Sequence, residues 1–411
     1  MMPVRRVAVL SVHTSPLAQP GAGDGGGMNV YVRALATGLA HAGVECDVFT
    51  RRESPDEPTV TRVEEGFRVV HIDAGPSSPI GLHDLTTLVD PFADAVLDRL
   101  RDTGDDYDVL HANYWISGAV GHRLKHALDL PLVATFHTLA RVKAEAGFDD
   151  EPEQRARLEH EVIDCADLML ASTAEERVQL ADLYGAEPSR IEIVPPGVDH
   201  SVFRPSGGDG ALLRERLGVG DRPLLLFVGR IQPLKGVDVA IRALAALEDS
   251  SSMLVVVGGP SGPSGAAESE RLARLVDELA LGDRVLFLPP QPHDALADFY
   301  RAADVCVVPS RSESFGLVAL EAAACGTPVV AAAVGGLRSL VDDGVTGYLV
   351  DGHEPADYAT PLSVLLGSPL LAGEMGEAAV ARSGRYSWSI TAARLRRLYG
   401  DLVARSLVQC R

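Results

Sequence analysis

Short runs dense in Val, Ile and Leu return along the whole chain, among them VAVL at 7–10, LVAT at 132–135, LLLFV at 224–228 and MLVVV at 253–257, with longer segments of helical period between them. Consecutive apolar residues in so short a run make a strand buried on both faces, and parallel strands of that kind are joined by crossover helices. The alternation therefore dictates an α/β chain. Strands are expected at 6–12, 44–50, 67–72, 108–111, 131–136, 168–171 and 191–194, then at 223–228, 253–257, 284–288, 304–308, 328–332 and 348–350. Between the two groups, IVPPGVDHSVFRPSGGDG (193–210) is rich in Pro and Gly and lacks periodicity, which suits a connector and hinge. Two doubly wound, Rossmann-like domains are expected, 1–200 and 201–385, facing across a cleft, with the helical segment 386–411 completing the first. In such sheets ligands bind beyond the carboxyl ends of the strands, so the residues that follow each strand come first.

Composition narrows the partners. A net charge of −20 over 411 residues argues against nucleic acid and an anionic membrane, either of which needs a basic face. No window of about 18 uninterrupted apolar residues occurs, and the basic N-terminus MMPVRRVAVLSV is a first strand rather than a signal peptide, so a cytoplasmic protein is expected. Five cysteines (Cys46, Cys165, Cys306, Cys325, Cys410) are scattered without C-x-x-C spacing and indicate neither a zinc site nor a disulfide framework. Only Lys125, Lys143 and Lys235 are lysines.

Three stretches at the ends of expected strands carry chemistry. HTSPLAQPGAGDGGGMNVYVR (13–33) runs from the first strand through five glycines into a helix, so its backbone N–H groups can approach an anion or a sugar. It is not a G-x-G-x-x-G loop. VGRIQPLKG (228–236) sets Arg230 and Lys235 around a Pro-bearing turn, where both could reach one diphosphate or stand as solvated surface cations. In VVPSRSESFGLVALEAAACGTPVVA (307–331), Ser314 can cap a helix running from about Phe315 to Ala324, whose N-terminus favours a phosphate. Glu313 precedes that helix and Glu321 lies about 12 Å along it at helical rise, a span that suits a sugar ring and a ribose as well as it suits two unrelated surface carboxylates. His13 and His137 each follow a strand of the first domain. No GxSxG elbow, H-E-x-x-H motif or P-loop is present, which removes support for hydrolase, zinc protease and ATPase chemistry.

Glu313-x7-Glu321, the Arg230/Lys235 pair, the Gly-rich loop and two Rossmann-like halves together resemble the retaining GT-B glycosyltransferases that use nucleotide sugars. HTSPLAQPGAGDGGGMNVYV, HANYWISGAVGHRLK (111–125), FHTLARVKAE (136–145), FVGRIQPLKG, GGPSGPSG (258–265) and SESFGLVALEA narrow the resemblance to the D-inositol-3-phosphate glycosyltransferases of mycothiol biosynthesis, which join GlcNAc from UDP-GlcNAc to an inositol phosphate. That resemblance implies that Arg230 and Lys235 hold the donor diphosphate, Glu321 the ribose and Glu313 the transferred sugar. Gly27 would approach the diphosphate, and Gln19, Pro20, Gln291, Phe315, Gly316 and Leu317 would complete the donor set. His13, Asp24, Met28, Asn29, Tyr114, Thr138 and Arg155 fall at acceptor positions, while His137 lines the reacting centre. In the family a lysine after the third strand contacts the acceptor phosphate; here Leu82 takes that position with His83 beside it.

The resemblance implies a retaining hexosyl transfer with no metal ligand and no obligatory metal, Mg²⁺ being dispensable where cations take its role. The partners are small molecules, a UDP-sugar and a cyclitol, and a homodimer is left open. Three rivals stay open: transfer to an unphosphorylated cyclitol or aminocyclitol such as 2-deoxystreptamine, a glucosyltransferase like the sucrose-phosphate synthases, and a UDP-sugar-binding protein or epimerase without transfer.

Overall fold

A computed structural model describes residues 4–23, 25–78, 80–147, 153–262 and 264–410, with the backbone only at Leu82, His83 and Glu153. The chain divides into two compact units: residues 1–18, 28–197 and 388–411 form one, and residues 19–27 and 198–387 form the other.

The first unit holds β1 (Arg6–Leu10), β2 (Glu45–Arg51), β3 (Val60–Glu64), β4 (Phe67–Ile72), β5 (Val109–Asn113), β6 (Leu132–Thr135), β7 (Leu168–Ala171) and β8 (Ile191–Ile193) in the order β3-β4-β2-β1-β5-β6-β7-β8. Every pairing is parallel except β3 with β4. Successive side chains of β1 serve opposite faces. Ala8 and Leu10 join Phe92, Trp115 and Val120 on one side, and Val7 and Val9 join Tyr31, Leu35 and Tyr399 on the other. The second face is closed by the helix Trp388–Val403, where Thr391 Oγ1 donates to the Pro195 carbonyl at 2.8 Å and Tyr399 Oη meets His111 Nδ1 at 2.7 Å.

The second unit holds β9 (Leu224–Val228), β10 (Met253–Val257), β11 (Val285–Leu288), β12 (Val305–Val308), β13 (Val329–Ala332) and β14 (Gly347–Val350), all parallel, in the order β11-β10-β9-β12-β13-β14. This is the doubly wound order, and its reversal lies between β9 and β12. In the first unit the corresponding reversal lies between β1 and β5.

Every run read as a strand carries one, and β3 is additional: VTRVE is half-buried at each end and pairs only as the outer arm of a hairpin. Three further differences matter. The loop 19–27 groups with the second unit although its neighbours in sequence belong to the first. The helix expected from Phe315 starts at Leu317, with Gly316 at φ 101° as its N-cap and no side-chain cap hydrogen bond, so Ser314 is not the cap. Cys165 and Cys410, 245 residues apart, are brought sulfur to sulfur with Cα atoms 5.0 Å apart, against the expectation that no cysteines pair.

Candidate active site

At the reversal of the second sheet, the turn after β9 presents Arg230 and Lys235, and the loop after β12 presents Ser310 and Glu313. Lys235 Nζ lies 2.6 Å from Glu313 Oε2, with both side chains about one-fifth exposed, at 23% and 19%. Ser310 Oγ donates to the same carboxylate oxygen at 3.4 Å. The position of Glu313 is set by a distant turn. The Gly336 N–H donates to the Glu313 carbonyl at 3.0 Å, and a Cβ on Gly335 would lie 1.9 Å from that oxygen, so only glycine fits. Arg230 Nη1 donates to Ser261 Oγ at 3.3 Å, joining the end of β9 to the loop after β10.

The glycine loop rests on this group. Gln19 Nε2 donates to the Gln291 carbonyl at 2.5 Å and to the Pro20 carbonyl at 3.2 Å, and the Gly259 N–H donates to the Gly21 carbonyl at 3.1 Å. A Cβ on Gly26 would come within 3.3 Å of Arg230 Nε, and one on Gly27 within 3.6 Å of Leu317 Cδ1. Gln19, Pro20, Gly27, Gln291, Arg230 and Leu317 are thus parts of one neighbourhood beside the start of the helix Leu317–Ala324, whose first-turn N–H groups carry a partial positive charge. Phe315 is buried against Tyr386, with ring centroids 5.8 Å apart.

Glu321 departs from its reading as a carboxylate that could simply face water: it is 4% exposed. Oε1 lies 2.7 Å from His293 Nε2 and Oε2 accepts from Tyr300 Oη at 2.8 Å. Burial and the nearby Glu321 charge push the Tyr300 phenol well up, which keeps it a donor. Each carboxylate oxygen has a second lone pair, so hydroxyls can still be accepted. His293, Tyr300 and Ser261 were not singled out in the sequence, because their meaning depends on partners from other elements.

In the first unit the reversal gathers a different set. His13 follows β1 and its ring lies 4.5 Å from that of Tyr114. Tyr114 follows β5, has φ 78° and starts the helix Trp115–Leu128; His137 follows β6 and has φ 62°. Both are non-glycine residues in the left-handed region, a strain that clusters at working sites. His137 Nε2 lies 2.9 Å from Asn113 Oδ1, and its ring lies 4.8 Å from that of Tyr31, edge on. Burial first, then His111 and His13, push the His137 imidazole down to about 3, so it is neutral at physiological pH. Asn29 donates to Thr14 Oγ1 at 2.8 Å and to the Ser15 carbonyl at 2.6 Å, fixing the turn that carries His13, while Met28 packs on the apolar face of the same sheet.

Arg155 is wholly buried. Nε donates to Glu159 Oε1 at 2.7 Å, Nη1 to Tyr114 Oη at 3.1 Å, and Nη2 to the Thr138 carbonyl and Oγ1 at 2.8 and 3.0 Å. Its guanidinium also lies over the Tyr114 ring at 4.8 Å. The arginine therefore underpins Tyr114 and Thr138, with its charge countered by Glu159. Asp24 lies outside the described residues, and of Leu82 and His83 only the backbone is described, in the short 3₁₀ helix Leu82–Leu88. Among the described residues no single helix is long and apolar enough to cross a membrane.

Comparison with known proteins places the chain among glycosyltransferases. The family described as "Glycosyl transferase 4-like domain" matches residues 26–197, and "Glycosyl transferases group 1" matches residues 211–382. A D-inositol 3-phosphate glycosyltransferase of Acidothermus cellulolyticus is 49% identical, covering 97% of this chain and 91% of that protein. One from Kineococcus radiotolerans is 50% identical, covering 95% and 93%. Among solved structures, the sucrose-phosphate synthase of Thermosynechococcus elongatus superposes with a TM-score of 0.90 at 34% identity, covering 97% of this chain and 99% of that one.

Proposed function

The chain belongs to the glycosyltransferase family of the D-inositol 3-phosphate glycosyltransferases, with the GT-B fold, and within that family we propose that it moves GlcNAc from UDP-GlcNAc to a hydroxyl of 1D-myo-inositol 3-phosphate with retention of anomeric configuration. The observation that carries this reading is the convergence of Arg230, Lys235 and the uncapped start of Leu317–Ala324 at the reversal of the second sheet, where a departing diphosphate would find its charge met. The bond between the sugar C1 and the diphosphate breaks, the acceptor oxygen bonds to C1 from the face the diphosphate leaves, and the acceptor proton passes to a β-phosphate oxygen. Neutral His137, aimed by Asn113, would hold the transferred sugar as a hydrogen-bond partner rather than as an acid. Glu313 would accept from the sugar hydroxyls when Lys235 turns to the phosphate, and Glu321 from the ribose. With two cations and a helix end in place, turnover should not depend on added Mg²⁺.

A second reading keeps the donor and changes the acceptor to an unphosphorylated cyclitol or aminocyclitol. It is favoured by Leu82 in place of the family lysine and by the Arg155 charge being spent on Glu159. Mass spectrometry of products from UDP-GlcNAc with 1D-myo-inositol 3-phosphate, beside myo-inositol, 2-deoxystreptamine and a UDP-glucose control, tests both. Transfer to the phosphate is expected; transfer only to an unphosphorylated ring would establish the second reading, and release of UDP from no donor would overturn both.

A further inference from the structure

Toward the C-terminal end of the helix Trp115–Leu128, the first unit gathers two imidazoles and two thiols. His122 and His126 stand one turn apart on the helix Trp115–Leu128, so both rings leave the same face, with centroids 5.1 Å apart. Cys165 closes the helix Glu153–Cys165, and Cys410 arrives on the C-terminal tail. His126 Nε2 lies 3.2 Å from Cys410 Sγ and 3.5 Å from Cys165 Sγ, and His122 Nε2 lies 3.9 Å from Cys410 Sγ. All four ligand atoms lie within 4.8 Å of one another.

We propose that His122, His126, Cys165 and Cys410 form a structural tetrahedral site for Zn²⁺ that fastens the C-terminal tail to the first unit. A zinc ion at ordinary bond lengths holds its four donors about 3.3–3.8 Å apart; the His126 distances to the two sulfurs already match this, while the sulfurs themselves, in contact here, must part to admit the ion. Two thiolates neutralise the dication, and two neutral imidazoles complete the set. Binding displaces one proton from each thiol and moves no electrons: Zn²⁺ plus two thiols gives the dithiolate complex and two protons. The competing closure is a Cys165–Cys410 disulfide, for which the Cα separation of 5.0 Å is equally suitable. That closure has no use for two imidazoles converging on the sulfurs, and it requires an oxidant to remove two electrons.

The surroundings hold the ligands in place. Lys125 Nζ donates to the Cys165 carbonyl at 2.7 Å and pairs with Asp167 at 2.8 Å, and the other oxygen of Asp167 accepts from the Val408 N–H at 2.6 Å, two residues before Cys410. The tail is thereby delivered to the cluster by its own backbone. The spacing hid the site, because only the two histidines are near in sequence.

The test uses the full chain purified under reducing conditions, with metal content measured and the metal-free protein titrated with Co²⁺. About one zinc per chain, and a cobalt spectrum with thiolate-to-metal charge transfer, are expected. Cys410→Ser, in the tail, and His126→Asn, on an exposed helix face, should each abolish zinc retention through EDTA dialysis while preserving the folded circular-dichroism spectrum. Failure of the folded protein to bind either Zn²⁺ or Co²⁺ would overturn the site, as would retention of metal in both variants or purification of Cys165 and Cys410 as a metal-free disulfide.

Discussion

The two sheet reversals solve different problems with similar strand ends. In the second unit the charged groups are left reachable: Lys235 and Glu313 are about one-fifth exposed and are held by turns on either side of the β9–β12 boundary. In the first unit the Arg155–Glu159 pair is fully buried, and what remains toward the strand ends is aromatic, imidazole and amide. A diphosphate needs cations that can exchange a protein partner for a ligand. A polyol needs hydrogen-bonding groups whose orientation is fixed beforehand. The contrast separates charge used for binding from charge used for positioning, and it predicts that removing one kind damages activity and removing the other damages stability.

The largest effect belongs to Lys235→Ala. If Lys235 meets developing phosphate charge as proposed, its loss should lower kcat/KM on the order of 10³-fold, with little change in the thermal midpoint because the site is partly solvated. Near wild-type turnover would sink the diphosphate assignment. Arg155→Met should do the opposite, costing about 3 kcal/mol in urea unfolding by stranding Glu159 in the interior, with part of that restored in the double variant that also carries Glu159→Leu. A rise in acceptor KM without a stability loss would instead make Arg155 a direct ligand and erase the contrast.

The same distinction explains how much could be read beforehand. Strand ends were legible because continuous apolar runs mark both-face burial, and with them the positions of Arg230, Lys235 and Glu313 just past those ends, although the same residue types would also serve as solvated surface charges. The edge strand β3 escaped because VTRVE lacks an apolar run. The start of the helix at Leu317 escaped because it depends on Gly335 and Gly336 packing under Glu313, some twenty residues on. Spacing alone left Glu321 open between a solvated carboxylate and a ligand-binding one, and its burial was not legible, since His293 and Tyr300 reach it from another helix and its preceding loop. Arg155 could be placed by resemblance, yet nothing local showed that Glu159, one turn away, would take its charge.

A smaller effect tests the buried imidazoles of the first unit. Burial pushes His111 down to about 3, between Thr135 Oγ1 at 2.8 Å and Tyr399 Oη at 2.7 Å. Its pKa in the unfolded chain is near 6.5. Between these values the unfolded state binds the proton and the folded state does not, so this contribution is intact above pH 6.5 and is lost as pH falls toward 3. At pH 5 the lost part is about 2 kcal/mol. His111→Gln should therefore show a shallower decline of thermal midpoint between pH 7 and pH 5 than the parent; parallel declines would place the acid sensitivity elsewhere.

The finest test concerns the acceptor. Leu82 begins the 3₁₀ helix that follows β4, at the position where the family places a lysine against the acceptor phosphate. If the first unit recognises its acceptor by neutral hydrogen bonds, adding a cation there should change selectivity without touching the donor side. Leu82→Lys is expected to raise kcat/KM for 1D-myo-inositol 3-phosphate about tenfold relative to myo-inositol, the worth of one solvent-accessible charge-assisted hydrogen bond, with the UDP-GlcNAc KM unchanged. An equal change for both acceptors would mean that the substitution acts through the fold of the loop. No change in either would mean that phosphate selectivity, if present, is set without a cation at this position, and the contrast between a charged donor side and a neutral acceptor side would then extend to the native substrate itself.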